Sequence, residues 1–133
     1  MCIRDRVWRG HPMSDLTYTP VEVERHLRRL LNELSQAVKT NDETYRAFLD
    51  AKRALDKAEA HAFSDSKGQG TVGDREAYVT LAVMGEREAA DNAEAAYKYA
   101  KSRMDMLKIQ IMGVQSIGRS VNTAYGAVGQ VEP

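Results

Sequence analysis

The stretch Thr19–Ser64, TPVEVERHLRRLLNELSQAVKTNDETYRAFLDAKRALDKAEAHAFS, decides the fold. After Pro20 it holds neither Gly nor Pro, so nothing in it interrupts a helix. Its opening is a helix start: Thr19 as N-cap, Pro20 at the first helical position, and Glu22 placed to close a capping box. Positions stepping alternately by four and three then carry Leu27, Leu31, Leu34, Val38, Asn41, Tyr45, Phe48, Lys52, Leu55, Glu59 and Ala62. Eight of these eleven are apolar, a seam of the coiled-coil type rather than the broad face of a globular helix. Thr40-Asn41-Asp42-Glu43 is a second capping sequence within the stretch and marks a place for a kink near Asn41.

Working outward, Ser64–Gly73 (SDSKGQGTVG) is polar, with Gly68, Gly70 and Gly73, and reads as a turn. Thr71 to Asp74 is another N-terminal signal, so a second helix is expected over 74–122, with the loop at 64–73 and the first helix at 20–63. The second seam is Val79, Val83, Glu86, Ala90, Ala93, Tyr97, Ala100, Met104, Leu107, Ile111, Val114, Gly118, Val121 and Tyr125. The expected fold is therefore all-α: a long antiparallel two-helix hairpin, coiled-coil-like and oligomeric, over 19–125. Residues 1–18 form a disordered arm and 126–133 a frayed tail. A turn centred near residue 67 sets residue i opposite 135 minus i. Tyr45 and Phe48 then face Ala89, Ala90 and Ala93, while Leu27, Leu31 and Leu34 face Met104, Leu107 and Lys108. This register leaves Ile117–Tyr125 unpartnered unless Met13–Tyr18 folds back over it. Ile109, Ile111, Met112, Val114, Ile117, Val121 and Tyr125 lie on more sides than one partner helix covers, so they are the expected oligomer interface.

Composition narrows the function. The 133 residues hold 19 Lys+Arg against 19 Asp+Glu, with 43% hydrophobic and 7% aromatic residues. That is one domain's worth of chain with no global attraction to nucleic acid or anionic lipid. One Cys excludes an intramolecular disulfide and a Cys-based zinc site. No apolar run of about 18 residues is present, so no membrane span is expected. Met1–Pro12, MCIRDRVWRGHP, lacks the apolar core of a signal peptide and begins like a translated adaptor sequence, so Met13 is the expected start. Setting aside its Arg4, Arg6, Arg9 and Asp5 leaves 16 cations, 18 acids and no cysteine.

Catalytic chemistry finds no scaffold. His26 and His61 stand 35 residues apart on one expected helix, about 50 Å by rise, too far to share a metal. SDSKGQGT lacks the Gly-Lys-Thr order of a phosphate loop. The carboxylates Glu86, Glu88, Asp91 and Glu94 read as a solvated face, and the expectation is a protein that is not an enzyme and needs no cofactor or metal. Charge is distributed unevenly: Asp74–Glu94 has six acids against Arg75 and Arg87, whereas Lys98, Lys101, Arg103, Lys108 and Arg119 follow against Asp105 alone. In the hairpin this basic half lies beside Arg25, Arg28 and Arg29. Tyr97-Lys98-Tyr99-Ala100-Lys101-Ser102-Arg103 interleaves rings with cations, the composition by which single-strand binders stack bases and hold phosphates. The expected nucleic-acid contacts are Arg25, Arg28, Arg29, Tyr97, Lys98, Tyr99, Lys101, Arg103 and Lys108. The competing reading is that Tyr97 belongs to the seam and the cations face solvent.

The order of long helix, Gly-rich loop, Arg75-Glu76-Ala77 opening and a helix closing on Ser116-Ile117 and Asn122, with Lys57-Ala58, Phe63 and Asp91, resembles small phage proteins encoded among recombination genes. More remotely it is similar to the UvsY-type recombination mediators of T-even-like phages, over about Val21 to Tyr125. The resemblance implies a helical-hairpin oligomer that binds single-stranded DNA and helps load a recombinase over a single-strand-binding protein, in the cytoplasm of an infected bacterial host. Lys57 matches the first cation of that family's Lys-x-Arg stretch, whereas Glu59 stands in place of the second. The alternatives are a structural or assembly coiled-coil module, or a phage inhibitor of a host protein acting through the acidic face, without nucleic-acid binding.

Overall fold

A computed structural model describes residues 18–68 and 70–131, with side chains up to Gly126. The readings of the 1–12 segment, of the arm to residue 17 and of residues 132–133 lie outside the described residues. The described chain is all-helical, with no strand: α1 is Pro20–Asp65, α2 is Val72–Ala82 and α3 is Met84–Val131, and α1 packs against α3. By contacts the chain divides into two units, 1–34 with 107–133, and 35–106.

The helix signals take effect where the sequence places them. Thr19 N–H donates to Glu22 Oε2 and Glu22 N–H to Thr19 Oγ1, both at 3.2 Å, satisfying two first-turn amides reciprocally. α1 runs through Asn41 without interruption. Thr40, the cap the sequence offered, lies inside the helix, and its carbonyl accepts from the Thr44 hydroxyl at 2.8 Å. At the other end Ser66 is fully buried and satisfied: its N–H donates to the Ala62 carbonyl at 2.9 Å and its hydroxyl to the Phe63 carbonyl at 2.6 Å. The Arg75 Nε–H donates to that hydroxyl at 3.3 Å, and its guanidinium lies 4.8 Å from the centre of the Phe63 ring. Gly70 has φ of +93°, and a Cβ there would stand 2.8 Å from Asp74 Oδ2, so the turn requires glycine at this point.

The single second helix expected from the sequence is two helices. Thr71 and Asp74 form a complete capping box for α2, which has no buried residue. It closes at Val83, where φ −110° and ψ 15° leave the helical region. The Val83 N–H still donates to the Val79 carbonyl, and its own carbonyl accepts from Arg87. Hydrogen bonding therefore passes through the joint while the backbone turns there. Val83, 1% exposed, is the largest fully buried side chain among the described residues; burying it is the gain that offsets the departure. At the far end α3 does not stop at 122 but continues to Val131, since no Pro or Gly pair intervenes between Val121 and Ala127.

In the unit holding 35–106, Tyr97 is held by Tyr45, ring centres 5.0 Å apart, and stacks on Phe48 at 6.1 Å with planes 7° apart. Arg87 reaches Glu59 at 2.8 Å. In the unit holding 1–34 and 107–133, Gly118 lies against Val23, where a Cβ would come within 2.9 Å of Cγ1. Each pairing falls about two to three helical turns later on α3 than the turn-centred register predicts. Tyr45 and Phe48 meet Tyr97 rather than Ala89, Ala90 and Ala93. The residues of α2, which bury nothing, and the joint at Val83 take up the difference.

The seam expected on α3 is the buried one from Ala90 to Val121, with Ala90, Ala100, Leu107, Ile111 and Gly118 fully buried. On α1 half of the expected seam is displaced by one residue. Leu27, Leu34, Asn41, Phe48, Leu55 and Ala62 turn inward as expected, but the alternate positions are Val23, Leu30, Ala37, Thr44, Ala51 and Ala58. Leu31, Val38 and Tyr45 lie on the exposed flank. Both sets satisfy the same spacing. The smaller one wins because Ala37, Ala51 and Ala58 let the helix axes approach, which their bulkier neighbours would prevent.

Candidate nucleic-acid interface

The residues from Tyr97 to Arg103, alike in the sequence as rings and cations, separate once they are placed. Tyr97 is a seam residue, half-buried between Tyr45 and Phe48, so both faces needed for stacking a base are not free. Lys98 is tied to Glu94 one turn earlier, 3.1 Å away. Tyr99 turns outward and is 73% exposed. Lys101 and Arg103 are exposed and have no carboxylate within 4 Å among the described residues.

Tyr99 and Arg103 share a recess of about 260 Å³ with Gln36, Thr40 and Thr44 of α1, floored by Ala37, Ala96 and Ala100. The floor is shallow for the same reason the helices sit close: its three residues are alanines. Arg103 is the one charged residue of this lining. A flat apolar floor, an aromatic ring at its edge, an unpaired guanidinium and side-chain amide and hydroxyl groups can together hold a planar ring that carries an anionic substituent. Gln36, Thr40 and Ala96 did not figure among the sequence candidates. Nothing local in the sequence marks them, since which α1 residues stand beside Tyr99 depends on the register of α1 on α3.

The cations of the other unit are less free. Arg28 is paired with Glu24 at 2.6 Å. Arg29 donates to His26 Nδ1, which makes that imidazole an acceptor on this side. Arg25 and Lys108 are exposed with no acid within 4 Å among the described residues. Of the nine expected contacts, then, Tyr99, Lys101, Arg103, Arg25 and Lys108 are available, while Tyr97, Lys98, Arg28 and Arg29 are engaged within the chain.

The expected oligomer residues divide likewise. Ile111 is 7% exposed and belongs to the α1–α3 seam, and Val114 and Val121 are half-buried in it. Ile109, Met112, Ile117 and Tyr125 turn outward. The overhang from Ile117 is shorter than expected, because Gly118 and Asn122 lie alongside Pro20 and Val23 in one groove. Among the described residues no helix is long and apolar enough to cross a membrane, and no three His, Cys, Asp or Glu side chains gather as a metal site would need. No family model, curated protein or solved structure matches this chain.

Proposed function

We propose that this chain is a non-enzymatic phage accessory protein that self-associates and binds single-stranded DNA, assisting recombination or replication in the cytoplasm of an infected bacterium. The observation that carries the DNA reading is the exposed Tyr99 ring beside the unpaired Arg103 and Lys101 at the edge of the alanine-floored recess. A base stacks on the ring, and the phosphates flanking it are held by the two cations with release of counterions. Direct contact with a recombinase or a single-strand-binding protein belongs to the same reading.

The test is fluorescence anisotropy of a labelled single-stranded oligonucleotide across a salt series. Removing two phosphate contacts in Lys101→Ala with Arg103→Ala should flatten the logarithmic salt slope by about 1.4, at about 0.7 per contact on single strands. Tyr99→Ala should weaken binding with the slope unchanged. Wild-type protein that fails to bind at low salt refutes the DNA reading.

Self-association has its own support. Of the nine buried apolar residues among those described, four are alanines, whereas Leu31, Val38, Met106, Ile109 and Met112 are about half exposed or more. A lone chain with so small an interior and so much apolar surface gains by pairing. The same observation favours the second reading, an assembly module without nucleic acid. That reading predicts an oligomer in light scattering and no anisotropy change at any salt concentration.

A further inference from the structure

The recess beside Tyr99 lies wholly within the unit 35–106, and its two ends differ in chemistry. In this unit α1 and α3 run antiparallel, Tyr45 meeting Tyr97 and Glu59 meeting Arg87. The α1 wall Gln36, Thr40, Thr44 is therefore matched by α3 in the order Arg103, Tyr99, Ala96. Arg103 and Gln36 mark one end, Thr44 and Ala96 the other, with the Tyr99 ring between them above the alanine floor.

Its dimensions admit a single nucleotide. From Ala96 to Arg103 is about 10 Å of helix rise, the span of one nucleotide from its phosphate to the far edge of its base. A volume of about 260 Å³ is below the ~300–1,000 Å³ of pockets for drug-sized ligands, so a longer stretch of strand does not enter.

The hydrogen-bonding roles at the two ends are opposite. The Arg103 guanidinium only donates. The one proton of the Thr44 hydroxyl is given to its own helix, to the Thr40 carbonyl at 2.8 Å with the Asn41 carbonyl 3.0 Å away. Toward the recess Thr44 Oγ1 can then only accept. Glu43, three residues after Thr40 and seven after Gln36, falls on their flank of α1, is exposed and has no ion-pair partner among the described residues. Its carboxylate also only accepts. The nearest cation on α1, Lys39, stands a turn earlier, toward the Arg103 end. A phosphate is drawn to Arg103 and repelled from Glu43, which sets the direction of a bound nucleotide.

With the phosphate at Arg103, the substituent of the base farthest from the sugar reaches Thr44. That group is the amino N4 of cytosine or N6 of adenine, and the carbonyl O4 of thymine or O6 of guanine. An amino group completes a hydrogen bond with Thr44 Oγ1, whereas a carbonyl oxygen meets it lone pair to lone pair.

We propose that the recess holds one nucleotide of a single strand, with the phosphate on Arg103, the base against Tyr99 and an exocyclic amino group donating to Thr44 Oγ1, so that cytosine and adenine are preferred over thymine and guanine. This rests on the DNA-binding reading and names the nucleotides that its site selects.

The test compares labelled oligodeoxycytidine with oligodeoxythymidine of equal length by anisotropy, at mildly alkaline pH where cytosine stays unprotonated. The cytidine strand should bind about fivefold more tightly, the effect of one hydrogen bond against an unmet acceptor. Thr44→Val, close in shape and lacking the acceptor, should lower cytidine affinity to the thymidine level and leave thymidine affinity unchanged, while Thr44→Ser should keep the preference. Equal affinities, tighter thymidine binding, or a preference that survives Thr44→Val overturns the proposal and leaves the DNA-binding reading standing. If neither strand binds wild-type protein at low salt, both fall. In the wild-type protein, 2′-deoxycytidine 5′-monophosphate should shift the NMR methyl signals of Ala37, Ala96 and Ala100, and the thymidine nucleotide should need a higher concentration to do so. Shifts that spare these alanines overturn the placement.

Discussion

Replacing Gly118 by alanine should destabilise the fold, whereas the same replacement at Gly113 should stabilise it in dilute solution. Both glycines lie inside α3, so both substitutions gain about 1 kcal/mol of intrinsic helix preference. At Gly113 nothing opposes that gain, because the added methyl meets open space. At Gly118 the methyl would sit 2.9 Å from Val23 Cγ1, roughly 0.8 Å inside the optimum carbon–carbon separation. Val23 has little room to give: it is 6% exposed, its β-branched side chain is stiff about χ1, and its N–H is bonded to the Thr19 carbonyl at 3.1 Å. Overpacking of this kind costs ~1–3 kcal/mol. The net effect of Gly118→Ala is a loss of up to about 2 kcal/mol, against a gain of about 1 kcal/mol at Gly113. Thermal unfolding followed by circular dichroism should separate the two variants by several degrees, at roughly 4 °C per kcal/mol for a chain of this size. Val23→Ala, costly alone, should become less so in the presence of Gly118→Ala, and the double-mutant cycle isolates the contact. If Gly118→Ala raises the melting temperature as much as Gly113→Ala does, Gly118 does not lie against Val23 and the register of α1 on α3 is wrong.

Other expectations follow from single contacts. Thr71→Ala removes the acceptor for the Asp74 N–H and should cost about 1 kcal/mol, with faster amide exchange confined to the start of α2. Tyr97→Ala, which empties the space between Tyr45 and Phe48, should cost about 2–3 kcal/mol in urea denaturation. Tyr99→Ala should leave stability within about 0.5 kcal/mol while lowering affinity for single-stranded DNA. Glu59→Gln breaks the ion pair with Arg87, whose side chains are half and over one-third exposed; the expected change is under about 1 kcal/mol and shrinks further in high salt.

The separation of Tyr97 from Tyr99 shows how far the sequence carries a site. Both rings stand among cations in the chain, and the same run of residues supports a stacking platform or a seam. The seam spacing on α3 identifies Tyr97 as an inward residue, so this part was legible. That Lys98, Arg28 and Arg29 are engaged by Glu94, Glu24 and His26 was legible only as spacing of three and four, since side-chain rotamers choose among such partners. The recess beside Tyr99 was not legible. Its α1 wall, Gln36 to Thr44, is remote in sequence, and which α1 residues line it depends on a register that no local signal specifies.

The sequence by itself determined the all-helical class, the capped starts at Thr19 and Thr71 and the inward face of α3 from Ala90 to Val121, because these depend on the chain's own period, on glycine and proline, and on side chains reaching backbone amides three residues away. Tertiary structure decided three things that local rules leave degenerate. It chose Leu30, Ala37 and Thr44 over Leu31, Val38 and Tyr45, since both sets keep the heptad and only the approach of a partner helix tells bulky from small. It moved the pairing by about two to three turns, because a register is set by which large and small residues meet across the interface. It broke the second helix at Val83, where a buried valine outweighs two unfavourable dihedrals, a balance that exists only once there is an interior to bury it in.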